Sequence, residues 1–301
     1  MATRLYLVDA SPYIFRAYFS LPDTIVAPDG SPTNAVYGFA GFLIKLIAEE
    51  RPSHLAVCFD SSLTTSFRSE LYPGYKAQRA LPPAELEFQQ QRCRDVAAAL
   101  GAAVYVDERF EADDLIATLL DRVGRAAADA EAIVVVSSDK DLAQLVGPNR
   151  VLYDFARRER LDEGEVQRRF GIEPSQIPDL LALAGDPVDN IPGVSGVGRK
   201  TAAELLRALG SVEKIYRDLS AVERLGRRGG VSLRQRLEEQ RDRALLSLLL
   251  ARVSTQAPVT AKLQDLRYSG PRVEEWRRLG TELGFTDLVE RGLRLATVAA
   301  R

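Results

Sequence analysis

Three short, mainly apolar segments, each followed within three residues by an aspartate, constrain the fold of this chain most. The segments span residues 4–8, 54–59 and 132–136, and they lead into Asp9, Asp60 and the acidic stretch 137–141. Near-continuous apolar runs are typical of parallel strands that are buried on both faces. The carboxyl ends of such strands line the crevice in which open parallel sheets bind ligands. We therefore predict an α/β fold with a mainly parallel sheet and a rim of carboxylates at one edge.

A second acidic cluster opens a predicted amphipathic helix. Glu111, Asp113 and Asp114 fall within four residues, and the largely apolar run 115–120 follows them. The helix dipole stabilises an acid in the first turn by about 0.3–1 kcal/mol, which accounts for one such residue but not for three. Two acids about 4 Å apart repel each other by roughly 4 kcal/mol at an effective dielectric constant near 20. A divalent cation that prefers oxygen ligands would remove this repulsion.

Together with a later acidic loop at residues 185–189, these elements predict a binuclear metal site. A single aspartate after a strand is more often a turn residue or a helix cap, but several at one edge of a sheet favour metal binding. We expect nine carboxylates to converge on this rim: Asp9, Asp60, Glu111, Asp113, Asp114, Asp139, Asp141, Asp186 and Asp189.

Length and composition indicate the number of domains and exclude some kinds of active site. A chain of 301 residues predicts about two domains, which we place at residues 1–160 (α/β) and 161–301 (helical). One histidine and two cysteines argue against a zinc site of the usual kind and against a histidine-dependent triad. Both cysteines fall in predicted core elements, so we expect free thiols. Neither a signal peptide nor a membrane-spanning run is recognisable, which predicts a cytoplasmic protein without a membrane partner.

The distribution of charge favours a polyanionic partner, although the net charge is −2. The nine rim acids contribute more negative charge than the whole chain carries in net, so the rest of the chain has a net positive charge. Residues 199–243 hold twelve Lys or Arg against seven Asp or Glu. The alternative for this segment alone is an ordinary solvated helical surface. Beside a metal site that neutralises the acids, a basic surface suits nucleic acid.

A polar segment at residues 61–81 combines aromatic and cationic side chains. In order, these are Phe67, Arg68, Tyr72, Tyr75, Lys76 and Arg79. Such alternation can contact phosphates and stack bases. The alternative is a surface loop with helical turns. Because the segment directly follows Asp60, we favour a gateway over the metal site.

A glycine-rich turn precedes a later predicted helix. Gly193, Gly196 and Gly198 permit a tight turn, and the helix that follows opens with Arg199, Lys200 and Thr201. A helix start offers unpaired backbone amides to a phosphate. The spacing is not that of a Walker loop, and a purely structural turn is the alternative. We expect Arg199 and Lys200 to hold duplex phosphates without contacting the reacting one.

The motifs, taken in order, resemble the bacterial and phage 5′-nuclease family, or flap endonucleases. This family includes the N-terminal nuclease domain of many bacterial DNA polymerases I. The similar stretches cover nearly the whole chain and are LVDAS with Arg16, FDSSLTTSFRSELYPGYKAQR, FEADD, SSDKDL and GDPVDNIPGVSGVGRKTA. Pro12 and Val188 stand where the family more often has other residues. The resemblance implies a PIN-like fold with a helical arch at about 61–92 and a helix–three-turn–helix at about 180–210.

The resemblance also implies roles for individual residues. Asp9, Asp60, Glu111, Asp113 and Asp114 would surround one Mg²⁺, and Asp139, Asp141, Asp186 and Asp189 a second, with Mn²⁺ as a substitute. Tyr75, Lys76 and Arg79 would belong to the arch, with Lys76 and Arg16 near the scissile phosphate. Arg68, Gly193, Gly196, Gly198, Arg199, Lys200 and Thr201 would contact DNA, and a potassium ion is expected at the glycine turn.

The implied function is two-metal hydrolysis of phosphodiesters by a 5′-3′ exonuclease or flap endonuclease. The implied substrates are flapped, nicked or gapped DNA, including RNA-primed DNA, and the implied state is a monomer with a functional link to a DNA polymerase. No polymerase sequence follows Arg301, so we expect a stand-alone nuclease or an excised domain. The alternatives are a DNA-binding accessory protein with weak catalysis and a PIN-type ribonuclease.

Overall fold

A six-stranded sheet forms the centre of the computed structural model, which describes residues 3–62, 66–80, 82–124, 126–127 and 130–296. The strands are β1 (Arg4–Asp9), β2 (His54–Asp60), β3 (Ala103–Asp107), β4 (Ala132–Val136), β5 (Arg150–Asp154) and β6 (Glu159–Leu161). Their order is β3-β2-β1-β4-β5-β6; the first five are parallel, and β6 pairs antiparallel with β5. The strand order reverses between β1 and β4, where open sheets place their ligands. The predicted α/β class with a mainly parallel sheet is confirmed.

The strand register brings the predicted acidic ends together. Asp9 at the end of β1 is paired with Cys58 on β2, and Val8 is paired with Val136 at the end of β4. The segments that follow β1, β2 and β4 therefore leave the sheet at the same edge. The strand interiors are almost fully buried because helices cover both faces.

Fourteen α-helices are present in the described ranges. They are α1 (Ser11–Ser20), α2 (Asn34–Glu50), α3 (Phe67–Leu71), α4 (Ala84–Ala99), α5 (Ala112–Val123), α6 (Glu163–Phe170), α7 (Ile177–Ala184), α8 (Arg199–Leu209), α9 (Val212–Arg217), α10 (Ser220–Arg224), α11 (Gly230–Glu239), α12 (Arg241–Ala251), α13 (Val273–Leu283) and α14 (Thr286–Leu293). Helices α3 and α4 lie in the segment predicted as the arch, of which residues 63–65 and 81 are outside the described ranges.

The hydrophobic core has one part on each face of the sheet. On one face, α1, α2 and α4 pack on the strands together with Trp276 and Leu279 of α13 and Leu288 of α14. On the other face, α5 packs on the strands and the core continues into the helices from α6 to α12. The helices at the end of the chain therefore return to the α/β domain. This differs from the prediction that residues 161–301 form one helical domain.

Some of the secondary structure has no clear signal in the sequence. Residues 141–145 form a 3-10 helix, and the amide of Asp141 is held by the Asp139 carboxylate. Gln240 separates α11 from α12. Strand β6 and helices α10 and α14 were not predicted. The segment that follows α12 crosses back onto α5, where the Ser254 amide donates to Asp114 at 2.7 Å.

Two negative findings concern the described residues only. None of their helices combines the length and apolar character that crossing a bilayer requires. Cys58 and Cys93 are free and buried, which confirms the prediction of unpaired thiols.

Candidate metal and nucleic-acid site

Eight of the nine predicted carboxylates line one cavity of about 510 Å³ at the carboxyl edge of the sheet. The eight are Asp9, Asp60, Glu111, Asp113, Asp139, Asp141, Asp186 and Asp189. They come from the ends of β1 and β2, the start of α5, the segment after β4 and the loop after α7. The cavity is also lined by Lys76 and Arg79 of the arch segment and by Arg199 of α8. The site thus joins parts of the chain that are far apart in sequence.

Five of the carboxylates in this cavity have raised pKa values, which means that they resist ionisation. Burial, reinforced by the charge of Asp60, raises the pKa of Asp9 to about 8. Burial and the neighbouring Asp139 raise the pKa of Asp141 to about 8 as well. Burial is also the main cause of the raised pKa values of Asp60, Asp113 and Asp139. Negative charge therefore exceeds the positive charge that the protein supplies here, which is the electrostatic condition for cation binding.

Two serine hydroxyls orient acids at the bottom of the cavity. Ser137 donates to Asp9 Oδ2 at 2.7 Å, and Ser11 donates to Asp60 Oδ2 at 2.5 Å. The backbone amide of Ala112 holds the other Asp60 oxygen at 2.8 Å. Both serines were missed as functional residues, although each lies within a residue or two of a strand end. Their hydrogen bonds fix the direction in which the carboxylates face the cavity.

The arch segment places its cations directly on two of the acids. Lys76 Nζ lies 2.5 Å from Glu111 Oε1 and 3.7 Å from Asp189 Oδ2. Arg79 Nη2 lies 2.5 Å from Asp189 Oδ1. Although burial opposes it, the charges of Lys76 and Arg68 hold the pKa of Glu111 below its usual value. The protein's own cations thus neutralise this side of the cavity.

Tyr75 was predicted in the same catalytic group, but it does not line the cavity. Its side chain is buried, and its hydroxyl lies within hydrogen-bond distance of Glu111 Oε2, at 3.1 Å, and of Asp189 Oδ2, at 3.2 Å. Tyr75 therefore orients the two acids that Lys76 contacts.

Hydrogen bonds that the sequence did not predict tie the arch segment to the loop after α7. The Gln78 side-chain amide donates to the carbonyls of Pro187 and Val188, each at 3.0 Å. The Asn190 side chain donates to the Gly74 carbonyl at 2.6 Å. Lys76 adopts a φ of +53°, a left-handed conformation that L side chains rarely adopt. The arch is therefore held closed over Glu111 and Asp189.

The donor set fits hard divalent cations such as Mg²⁺, because it consists of carboxylate oxygens without histidine or thiolate. Within the described part of the chain, however, no three acidic, histidine or cysteine side chains are arranged to hold one ion together. Lys76 and Arg79 contact oxygens of Glu111 and Asp189, and the hydroxyls of Ser11 and Ser137 each donate to one oxygen of Asp60 and Asp9.

The structure contradicts the roles predicted for Asp114 and Arg68. Asp114 is fully buried and lies behind the cavity instead of lining it. Its two oxygens accept hydrogen bonds from Arg68 Nη1 and Nη2, both at 2.8 Å. Arg68 is only 3% exposed, so its guanidinium cannot reach DNA phosphates. The two residues form a buried ion pair.

Arg16 also lies apart from the acids. It is exposed on α1 and lines a separate cavity of about 160 Å³ beside the first one, together with Ser138, Asp154 and Arg157. Arg157 was not predicted as a functional residue. Arg16 thus does not line the carboxylate cavity, but Pro12 and Ser138 border both cavities, and its predicted place near the scissile phosphate stays a prediction.

The glycine turn has the backbone conformation that the sequence suggested. Gly193 and Gly196 have φ values of +58° and +80°, and a Cβ on Gly193 would lie 2.2 Å from the amide nitrogen of Gly185. Gly198 precedes α8 in an extended conformation. These constraints account for glycine at the first two positions.

The side chains that open α8 divide into two groups. Arg199 and Lys200 are exposed, whereas the Thr201 hydroxyl accepts a hydrogen bond from Arg227 at 2.9 Å. Arg199 Nη2 lies 3.5 Å from Asp186 and lines the carboxylate cavity. Arg199 therefore lies beside the carboxylates, whereas Lys200 is not among the residues that line the cavity; that both hold duplex phosphates stays a prediction.

A mainly parallel sheet with a carboxylate cavity at its carboxyl edge, joined to a helical region, is the architecture of PIN-like nucleases. Comparison with known families agrees. Residues 4–171 match the 5′-3′ exonuclease N-terminal resolvase-like domain, and residues 172–274 match the 5′-3′ exonuclease C-terminal SAM fold. The chain therefore belongs to the 5′-3′ exonuclease family.

Relatives of known sequence include DNA polymerases I. That of Bacillus caldotenax is 39% identical over 296 residues, which are 97% of this chain and 32% of the relative. That of Pseudomonas aeruginosa is 40% identical over 297 residues, or 98% of this chain and 32% of the relative. The chain spans about a third of the length of these curated relatives.

Solved structures share the fold at low sequence identity. T5 5′-exonuclease with bound zinc ions superposes with a TM-score of 0.66 at 19% identity, covering 98% of this chain and 99% of that chain. The catalytic core of Rad2 in complex with DNA substrate gives a TM-score of 0.62 at 15% identity, covering 99% of this chain and 92% of that chain.

Proposed function

We propose that this chain is a structure-specific 5′-3′ exonuclease and flap endonuclease that hydrolyses DNA with two Mg²⁺ ions. The observation that carries the proposal is the single cavity into which eight carboxylates from five parts of the chain project. Family membership supports the same activity. T5 5′-exonuclease has been crystallised with metal ions, and a Rad2 core with DNA substrate, which supports both partners.

We assign the eight carboxylates that line the cavity to two ions, as the family resemblance implies. Asp9, Asp60, Glu111 and Asp113 would hold the first ion, and Asp139, Asp141, Asp186 and Asp189 the second. When bound, such ions supply a hydroxide nucleophile near neutral pH and stabilise the leaving oxygen. Mn²⁺ is expected to substitute, because it also accepts carboxylate and water oxygens. Asp114 is not part of either group.

The cations of the arch would act on the scissile phosphate. Lys76 and Arg79 already lie at the mouth of the cavity, where they contact Glu111 and Asp189. Once these acids have other partners, the two side chains are free to face a phosphate. Fixed positive charge there offsets the negative charge that develops on the phosphoryl oxygens.

Duplex binding is assigned to the glycine turn and the start of α8. The exposed Lys200 and the first amides of α8 would hold backbone phosphates of the unreacted duplex. The turn is also where we propose a potassium ion. The curated relatives are DNA polymerases I, which supports a functional link to polymerisation. We propose that the chain acts as a monomer.

A substrate panel tests this function. In Mg²⁺, a 5′-flapped duplex is expected to be cut faster than a single strand of the same sequence, because only the duplex engages the glycine turn. Single-turnover rates on flapped, nicked, gapped and single-stranded DNA and on single-stranded RNA would be measured. An Asp113→Ala preparation serves as the control for contaminating nucleases.

Two outcomes would overturn the proposal in different ways. Faster cleavage of single-stranded RNA than of any DNA would identify a PIN-type ribonuclease. Tight binding to the flapped duplex without cleavage would identify a DNA-binding accessory protein.

A further inference from the structure

Arg68, close to the cavity, uses its whole guanidinium group in hydrogen bonds within the protein. Its Nε donates to the Leu250 carbonyl at 2.8 Å, and its Nη2 donates to the Arg252 carbonyl at 3.1 Å. The remaining donors bind both oxygens of Asp114 and Glu111 Oε2, each at 2.8 Å. All five N–H groups of the guanidinium are therefore used. The planar, forked geometry of arginine is suited to such a set, and lysine cannot reproduce it.

These bonds join three separate parts of the chain beneath the cavity. Arg68 lies on α3 at the base of the arch, whereas Glu111 and Asp114 lie at the start of α5. Asp114 also accepts from the Ser254 amide at 2.7 Å and the Glu111 amide at 3.1 Å. The arch, the acidic helix start and the segment that follows α12 are thus held by one buried ion pair.

Glu111 connects this ion pair to the cavity. One of its oxygens, Oε2, accepts from Arg68, and the other, Oε1, contacts Lys76 at the cavity wall. Because the Tyr75 hydroxyl lies 3.1 Å from the same Oε2, the direction in which Oε1 faces depends on Arg68 together with Tyr75. Residues that hold a metal ligand from behind typically change metal affinity or activity by about 10–100-fold when they are replaced.

We propose that Arg68 is a positioning residue that aims the Glu111 carboxylate at the metal ions, and not a DNA contact. The inference rests on the proposed function, since it assumes that Glu111 binds metal. Arg68 itself lies behind the ligand and touches neither substrate nor ion. A buried ion pair is weak evidence of a net gain in stability, so retention of this one is better explained by the orientation it imposes.

The test compares Arg68→Lys with wild-type protein and with two controls. Arg68→Lys keeps the positive charge but can replace at most three of the five hydrogen bonds that Arg68 donates. Arg109→Ala removes an exposed ion pair with Glu70 and serves as the neutral control. Lys200→Ala serves as the control for a lost phosphate contact. Mn²⁺ affinity is measured without DNA by titration, below the unfolding temperature of each variant, and duplex affinity is measured at several salt concentrations.

Arg68→Lys is expected to weaken Mn²⁺ binding by about 10–100-fold and to leave the salt dependence of duplex binding unchanged. Lys200→Ala is expected to show the opposite pattern, with a salt slope reduced by about one.

Wild-type Mn²⁺ affinity in a folded Arg68→Lys protein would overturn the inference, and a lower melting temperature alone would mean a purely structural role. If Arg68→Lys does not fold, the same titration on Asp114→Asn decides, and wild-type affinity there overturns the inference. A wild-type protein that neither binds Mn²⁺ nor cleaves DNA would overturn the proposed function instead.

Discussion

Replacing Asp113 with alanine is expected to lower single-turnover cleavage about a thousandfold or more while DNA affinity stays close to wild type. Asp113 is held in the cavity by the first turn of α5, where burial and the charge of Asp9 raise its pKa well above the usual value. A bound cation would stabilise the ionised form of such a carboxylate. The ions that we propose it holds would contribute several kcal/mol of transition-state stabilisation, and each 1.4 kcal/mol corresponds to about tenfold in rate.

Asp139→Ala should behave in the same way, because Asp139 faces the same cavity from the segment after β4. The matched control is Asp121→Ala, which removes an exposed acid from the same helix as Asp113. Rates and dissociation constants for a 5′-flapped duplex would be measured for all three variants. If Asp113→Ala and Asp139→Ala cut at the rate of Asp121→Ala, the metal assignment is wrong.

Replacing Lys76 with alanine is expected to reduce single-turnover cleavage about 100- to 1000-fold with only a modest loss of affinity. The ammonium group of Lys76 lies at the mouth of the cavity, 2.5 Å from Glu111 Oε1. Loss of one preorganised donor that stabilises developing negative charge typically has an effect of this size on the rate. The loss falls on the rate because this charge matters most when the phosphoryl oxygens become more negative.

Lys200→Ala provides the contrasting case for Lys76→Ala. Its side chain is exposed at the start of α8, so its removal should weaken duplex binding and leave the rate at saturating DNA unchanged. The two variants would be compared by rate and dissociation constant at two salt concentrations. Equal losses of affinity with wild-type rates in both would show that the arch is only a binding surface.

The parts of this fold that the sequence predicted are those determined by local pattern. Strands β1, β2 and β4 were recognisable because they are buried on both faces and contain almost no polar residues. Because parallel strands end at the same edge of a sheet, the sequence also predicted that Asp9, Asp60 and Asp139 lie close together. Strand β6 has three residues and one neighbour, so it carries no such pattern.

The errors concern residues whose environment is created by tertiary contacts. Arg68 lies between aromatic residues, as a nucleic-acid contact would, yet its partners Asp114, Leu250 and Arg252 come from distant parts of the chain. Asp114 was counted as a ligand because it follows Asp113. One helical residue turns it away from the cavity and into the core. Gln78 and Asn190 donate hydrogen bonds to backbone carbonyls of distant segments. Every residue has such a carbonyl, so the sequence cannot indicate which one is the acceptor.

The most direct test of the central claim is cleavage of a 5′-flapped duplex by protein that has been stripped of metal. Without added ions, no cleavage above the level of Asp113→Ala is expected, because in the proposed mechanism the ions supply the hydroxide nucleophile. Stepwise addition of Mg²⁺ should restore cleavage of the wild-type protein and leave Asp113→Ala inactive. Cleavage at an unchanged rate in excess chelator would contradict the account.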